Sequence, residues 1–324
     1  MNVSEERLQE IVNAYIRLGD EIKVANAEGI RPSSVERMLR EAKTKGIEGM
    51  KEIKEEPPKL PRIFIMDIEN SPTLAAVWGM WKQNINLAAI SEEWYLLSWA
   101  GKYLFETEVY SDVLTPEEAI EGNDKRVMES LWQHLEYADI VIGHNMQQFD
   151  ALKANTRFVV NGIMPPSPYQ IIDTLLAARK QFAFTSNKLD YLCQQFGVSR
   201  KADNGGMERW MGCLKGNPQD LLDMETYNRQ DIVATEELYL AMRPYIKNHP
   251  NLGLYMESEH QMCYKCGSEN IKWLYDDNGD PVCYATSVNR YHTYRCNECQ
   301  SIGRSRHSIF SREDKKHLTS PIAR

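Results

Sequence analysis

The chain has 324 residues, 42% of them hydrophobic and 26% charged, with a formal net charge of −8. That length supports two or three domains with buried cores, and no apolar run reaches the roughly 18 residues that a membrane span requires. The opening MNVSEERLQE is polar and has no signal-peptide pattern, so a cytoplasmic protein without membrane contact is expected, and in a reducing compartment the seven cysteines read as metal ligands or core residues rather than a disulfide framework. Charge is uneven along the chain. Residues 61–258 carry 17 Lys+Arg against 26 Asp+Glu, whereas residues 295–324 carry 7 against 3. A polyanionic partner would meet the C-terminal end first, although a solvated charged tail accounts for the same counts.

Residues 1–47 are expected to be helical. SEERLQEIVNAYIRLGD starts at Ser4 and repeats apolar residues at helical spacing, at Leu8, Ile11, Val12, Tyr15 and Ile16. The following EIKVANAEGIRPSSVERMLREAK resembles a helix-turn-helix. Ala25 packs in its first helix, Gly29 makes the turn, Ile30 and Val35 fill the core, and Ser33, Ser34, Arg37 and Arg40 would face a DNA groove or its phosphates. Residues 1–60 hold 11 Lys+Arg against 12 Asp+Glu, which is not the balance of a strongly basic reader, so a protein-contact hairpin is the rival reading. Three prolines and alternating charge then mark residues 48–61 as a linker.

From Ile63 to about Tyr245, strand-like and helix-like stretches alternate. Expected strands are RIFIMDIE, AAVWGMW, INLAAIS, YLLSWAGKYL and ADIVIGHN. Expected helices are DKRVMESLWQHLEY, FDALKANTRFVVNG, DTLLAARKQF, NKLDYLCQQFGV and METYNRQDIVATEELYLAMRPYI. Neighbouring strands followed by alternating elements imply an α/β domain over 62–250, a mixed sheet flanked by helices.

Three groups of residues in this domain carry chemistry. In RIFIMDIE, strand periodicity puts Asp67 and Glu69 on one face and Met66 and Ile68 on the other, and two anions so close favour a divalent cation or a shared proton. In ADIVIGHNMQQFDALK, a buried strand runs through Gly143 into a loop that delivers Asn145, Phe149 and Asp150 to a helix start, where an aspartate also serves as a cap. In METYNRQDIVATEELY, Tyr227 and Asp231 stand at i and i+4 on one helical face.

Together, Asp67-x-Glu69, Asn145-x-x-x-Phe149-Asp150 and Tyr227-x-x-x-Asp231 resemble the three motifs of the DEDD 3′–5′ exonuclease superfamily, DEDDy branch, of the RNase H-like fold. IIDTLLAAR and NKLDYLCQQFGV resemble the DnaQ-like members, and GGMERWMGCLKGNPQDLLDMETYNRQD is similar to stand-alone bacterial and phage exonucleases. The resemblance implies two Mg²⁺ or Mn²⁺ ions about 4 Å apart that clamp the scissile phosphate. It implies Asp67 as the ligand shared by both ions, Glu69 and Asp231 completing the first site, Asp150 serving the second, and Tyr227 positioning the water. Hard oxygen ligands suit these ions. Asp173 is either a residue near this site or the cap of the helix beginning at Thr174. Asn145 is expected to fix its loop or touch the substrate backbone, and Phe149 to pack in the core or stack on a base. Trp210 would wedge against a terminal base or serve as a lid or core residue.

The last segment, 259–310, holds Cys263-x-x-Cys266, 29 intervening residues, and Cys296-x-x-Cys299. Two such knuckles joined by short strands match a Cys₄ zinc ribbon with one structural Zn²⁺; redox CxxC chemistry is the alternative. His260 and His292 lie near enough in sequence to replace a ligand, while Cys193, Cys213 and Cys283 read as buried or incidental. Arg290, Arg295, Arg304, Arg306 and His307 alternate with Tyr291, Tyr294 and Phe310, a pattern that suits a nucleic-acid backbone with stacked bases, or else a protein-docking ribbon. A basic tail follows over 311–324. The function expected is a 3′–5′ exodeoxyribonuclease, with DNA ahead of RNA as partner and a replication or repair protein as a candidate second partner. The rivals are an exoribonuclease and a non-catalytic binding protein on a nuclease fold, which the complete set of four carboxylates and Tyr227 argues against.

Overall fold

The computed structural model describes residues 3–19, 21–50, 61–82, 84–199, 205–256, 258 and 260–319. They fall into two compact units, a larger one that includes Arg62–Leu238 and a smaller one of Pro61 and the residues from Tyr239 onward. Of the expected linker, residues 51–60 lie outside the described residues, as do residues 320–324 of the expected tail.

The larger unit begins with three helices, α1 (Glu5–Leu18), α2 (Glu21–Glu28) and α3 (Pro32–Lys45). Ser4 caps α1 by accepting from the Arg7 N–H at 3.3 Å, and the periodic Leu8, Ile11 and Val12 bury against Val24, Ala25, Val35 and Ala42. Gly29, with φ of +63°, makes the turn between α2 and α3 that only glycine adopts without strain.

Next come β1 (Ile63–Asn70), β2 (Leu74–Ala75), β3 (Ile90–Glu92), β4 (Leu96–Tyr103), β5 (Tyr110–Val113), α4 (Pro116–Glu121), α5 (Lys125–Tyr137), β6 (Ile140–Gly143), α6 (Asp150–Val160), β7 (Gln170–Asp173), α7 (Thr174–Gln181), α8 (Leu189–Phe196), α9 (Gly206–Leu214) and α10 (Pro218–Met242). The main sheet has the order β5-β4-β1-β6-β7. β1 is antiparallel to β4 and parallel to β6, so the sheet is mixed. Helices flank it. Phe64, Met66, Ile68 and Trp99 enter a core shared with Val127, Leu131 and Leu135 of α5. The Trp99 indole also donates to the Val127 carbonyl at 3.1 Å. The architecture is the α/β, RNase H-like arrangement expected from sequence.

Two polar networks fix the elements that carry the carboxylates. Asp124, fully buried, accepts from the Leu96 N–H at 2.8 Å, from Arg157 at 2.6 and 2.7 Å and from Asn161 at 2.7 Å, which ties α6 to the start of β4. Buried Lys102 of β4 pairs with Glu236 of α10, and Ser111 of β5 bonds Glu225 at 2.7 Å and Arg229 at 2.6 Å. The helical segment is held to the sheet domain by Arg62, which bonds Asp139 through two nitrogens at 3.0 and 2.8 Å and Glu36 at 2.7 Å.

The stretch 75–91 departs from expectation. AAVWGMW and INLAAIS form only the two- and three-residue strands β2 and β3, with Trp78 and Trp81 105% and 85% exposed. Their aromatic content satisfies strand propensity, yet propensity reports packing, and here no described neighbour covers these side chains. β5, β7, α4 and α9 were not among the expected elements.

The smaller unit is a sheet of β8 (Ile271–Trp273), β9 (Cys283–Ala285), β10 (Arg290–Cys296) and β11 (Ile302–Arg304). β10 pairs antiparallel with all three others. Among the described residues no helix is long and apolar enough to cross a membrane.

Candidate functional site

Strand alternation delivers the first carboxylates. Met66 and Ile68 are 0% and 3% exposed beneath the sheet, leaving Asp67 and Glu69 half-buried on the opposite face. α10 brings Asp231 to that face. Donor oxygens of Asp67, Glu69 and Asp231 all lie within 4.8 Å of one another. Three oxygen donors so close repel one another unless a cation or proton is shared, and hard carboxylates without sulfur or imidazole fit Mg²⁺ or Mn²⁺.

Asp150 stands beside this trio rather than within it. β6 pairs with β1 only as far as Ile65 with Ile142, so further along β1 the backbone has lost its parallel partner. There the buried Asp150 carboxylate accepts from the Ile68 N–H at 3.3 Å, between Asp67 and Glu69. Tyr227, 3% exposed, lies one turn before Asp231 on α10.

Asn228 was not legible as a site residue. It is fully buried between Tyr227 and Asp231, and its amide donates to Asp67 Oδ2 at 3.2 Å. Its one sequence signal is the i, i+3 spacing to Asp231.

The loop between β6 and α6 is held by Asp173, which caps α7 by accepting from the Leu176 N–H at 3.0 Å. The same carboxylate accepts from the backbone of Asn145 at 3.2 Å and Gln147 at 3.0 Å. Asn145 has φ of +69° and its carbonyl accepts from the Phe149 N–H at 3.0 Å, so its role in fixing the loop is visible. Phe149 does not pack in the core: it is 38% exposed at the start of α6, with the Lys153 ammonium 5.6 Å from its ring. Trp210 is partly buried and donates to the Asn70 carbonyl at 3.1 Å, one residue beyond Glu69. It lines a cleft of about 290 Å³ with Ser71, Pro72 and Met207. On α3, Arg37 is exposed, whereas Arg40 pairs with Glu36 at 3.2 Å.

In the smaller unit the sulfurs of Cys263, Cys266, Cys296 and Cys299 come within 4.8 Å of one another. Cys263–Cys299 and Cys266–Cys296 are each 3.5 Å apart. Sulfurs around a tetrahedral zinc with bonds of about 2.3 Å would be about 3.8 Å apart, so the set fits Zn²⁺ and leaves no open position. Both knuckles turn the same way. Cys263 N–H bonds the Ser268 carbonyl and Cys296 N–H the Ser301 carbonyl, around Gly267 and Gln300 at positive φ. Hydrogen bonds from Cys263 and Cys266 pull the Cys299 thiol far below its ordinary range. His292 is engaged elsewhere, bonded to the Leu274 carbonyl at 3.0 Å and packed on Trp273. Burial pushes the Cys193 thiol up to about 11 and that of Cys213 to about 12, which leaves both unreactive. Arg304 and Arg306 are exposed on and just after β11.

No sequence match was found among curated proteins. In structure, the chain is similar to the family B DNA polymerase from the hyperthermophilic archaeon Pyrobaculum calidifontis, with 14% identity and a TM-score of 0.40, over 60% of this chain and 27% of the polymerase's length. The family model of the RNase_H superfamily matches residues 92–243, a span that includes Asp150, Tyr227 and Asp231 and begins after Glu69. Residues 92–243 are thus similar to the RNase_H superfamily, and β1, which precedes the matched span, lies within the same five-stranded sheet.

Proposed function

We propose that this chain is a divalent-metal-dependent 3′–5′ exonuclease that releases nucleoside monophosphates from the 3′ ends of DNA. The observation that carries this reading is the convergence of Asp67, Glu69 and Asp231, with Asp150 anchored beside them. Asp67, Glu69 and Asp231 would hold one ion, and Asp67 with Asp150 a second. Mg²⁺ or Mn²⁺ held there would supply positive charge at the scissile phosphate and would activate the attacking water. The residues do the rest. Asn228 holds Asp67 in place through its 3.2 Å bond, and the Tyr227 phenol orients the water. As the water oxygen bonds to phosphorus, the bond to the 3′-oxygen breaks, leaving a 5′-monophosphate and a chain one nucleotide shorter with a 3′-hydroxyl. The cleft beside Trp210 receives the terminal nucleotide, and the exposed Phe149 ring offers a stacking face to a base. Arg37 on α3 supplies a phosphate contact outside the site, with Arg40 a weaker one because Glu36 engages it. The Cys₄ set holds structural zinc.

The test uses 5′-labelled single-stranded DNA, duplex DNA and RNA of one sequence, incubated with the protein in Mg²⁺ or Mn²⁺. Stepwise ladders from the 3′ end, faster on single-stranded DNA than on RNA, are expected. Ladders on RNA alone would transfer the reading to a ribonuclease, internal cuts to an endonuclease, and binding without products to a non-catalytic protein.

A further inference from the structure

Residues 239–324 carry 12 Lys+Arg against 9 Asp+Glu, in a chain whose residues 1–238 carry 26 against 37. The smaller unit is therefore cationic where the larger is strongly anionic. Its sheet lines a groove of about 1140 Å³, and among the described residues the lining includes Lys247, Arg304, Arg306 and two histidines but no aspartate or glutamate. Such segregation is what a polyanion requires.

The aromatic side chains of the groove are ordered by strand register. Tyr284 of β9 stands directly opposite Tyr291 of β10. Arg304 of β11 places its guanidinium 3.8 Å from the Tyr291 ring centroid and 5.9 Å from that of Tyr284. Arg304 covers Tyr291, while the Tyr284 ring is 55% exposed. An exposed aromatic face beside guanidinium groups stacks a base and neutralises its phosphate, whatever the base.

We propose that this groove is a binding site for single-stranded nucleic acid, separate from the carboxylate cluster, with an unpaired base on Tyr284 and backbone phosphates at Arg304 and Arg306. The site supplies affinity without chemistry, since none of its described lining residues is a carboxylate. It is consistent with the nuclease reading but does not depend on it.

The test is fluorescence anisotropy with the full zinc-loaded chain and no added Mg²⁺ or Mn²⁺, using a labelled 15-nucleotide oligo(dT) and an abasic strand of equal length. Tyr284→Ala is expected to weaken oligo(dT) binding about 5- to 100-fold, the range for one lost base stack, with little effect on the abasic strand. Tyr284→Phe should bind like wild type, and Arg306→Ala should flatten the log–log salt slope by about 0.7. Zinc content of each variant reports its folding. Wild-type affinity in both Tyr284→Ala and Arg306→Ala, an equal loss on the abasic strand, or preference of the wild type for duplex would overturn the proposal. Dinucleotide hydrolysis by the wild type, measured alongside, separates the two readings: its absence with Tyr284-dependent binding intact sinks the nuclease and leaves the groove, and the converse sinks the groove alone.

Discussion

Asn228 offers a test of how the carboxylate cluster is held. Its side chain is fully buried on α10, and its single described contact at the site is the 3.2 Å bond to Asp67 Oδ2. Asn228→Ala removes that donor from the carboxylate assigned to both ions. A hydrogen bond to a charged group contributes about 1.5–3 kcal/mol, and each 1.36 kcal/mol in a barrier is tenfold in rate. If the bond orients Asp67 in the transition state, kcat should fall about 10- to 100-fold, and the Mn²⁺ concentration for half-maximal rate should rise. Asn228→Asp separates this from simple packing, because it keeps the volume but turns a negative oxygen toward Asp67. It should be at least as impaired as the alanine variant. The assay is the initial rate of mononucleotide release from single-stranded DNA across a Mn²⁺ titration, with thermal unfolding of each variant as the folding control. A folded Asn228→Ala enzyme within twofold of wild type, or an Asn228→Asp enzyme as active as wild type, would refute the reasoning.

Other expectations follow from the same structure. Asp124→Ala leaves the Arg157 guanidinium, whose side chain is 11% exposed, buried without its carboxylate; breaking such a pair costs about 3–5 kcal/mol, to be read as a lower urea midpoint, and Asp124→Ala with a wild-type midpoint would show the network to be dispensable. Tyr227→Phe should slow hydrolysis about 10- to 1,000-fold, the range for one lost positioning hydrogen bond, while Mn²⁺ binding persists; an unchanged rate would mean that the ring only packs. Dialysis against a chelator should release one zinc per chain and expose residues 260–310 to limited proteolysis, with Cys263→Ser doing the same; metal analysis that finds no zinc in carefully prepared protein would contradict the Cys₄ assignment.

What could be read in the sequence is what local periodicity encodes. The alternation across Met66, Asp67, Ile68 and Glu69 is a property of any strand, the i, i+4 spacing of Tyr227 and Asp231 of any helix, and the two CxxC pairs have a spacing that few other structures use. The structure brings each of these sets together. What could not be read depends on contacts far apart in the chain. The Asn228 bond to Asp67 spans 161 residues and the Arg157 pair with Asp124 spans 33. The start of α10 at Pro218 was missed because Asn217, which accepts from the Gln219 N–H at 3.0 Å, lies in a stretch with little apolar periodicity. Trp78 and Trp81 show the opposite case: their strand propensity is strong, but no described residue packs on them to realise it. For Phe149 the sequence leaves core packing and an outward stacking face both open, and the helix start places it outward, while the Tyr284–Tyr291–Arg304 alignment requires the register of three strands.

The central claim is that Asp67, Glu69 and Asp231 act together to hold the ions that cleave a 3′-terminal phosphodiester. The most direct measurement is a single gel of 5′-labelled single-stranded DNA in Mn²⁺ with the wild type, Asp67→Asn, Glu69→Gln and Asp231→Asn, accompanied by anisotropy of the same oligonucleotide. The expected result is a 3′-to-5′ ladder from the wild type, none from any variant, and similar oligonucleotide affinity in all four. A ladder at the wild-type rate from any one of the three folded variants would contradict it.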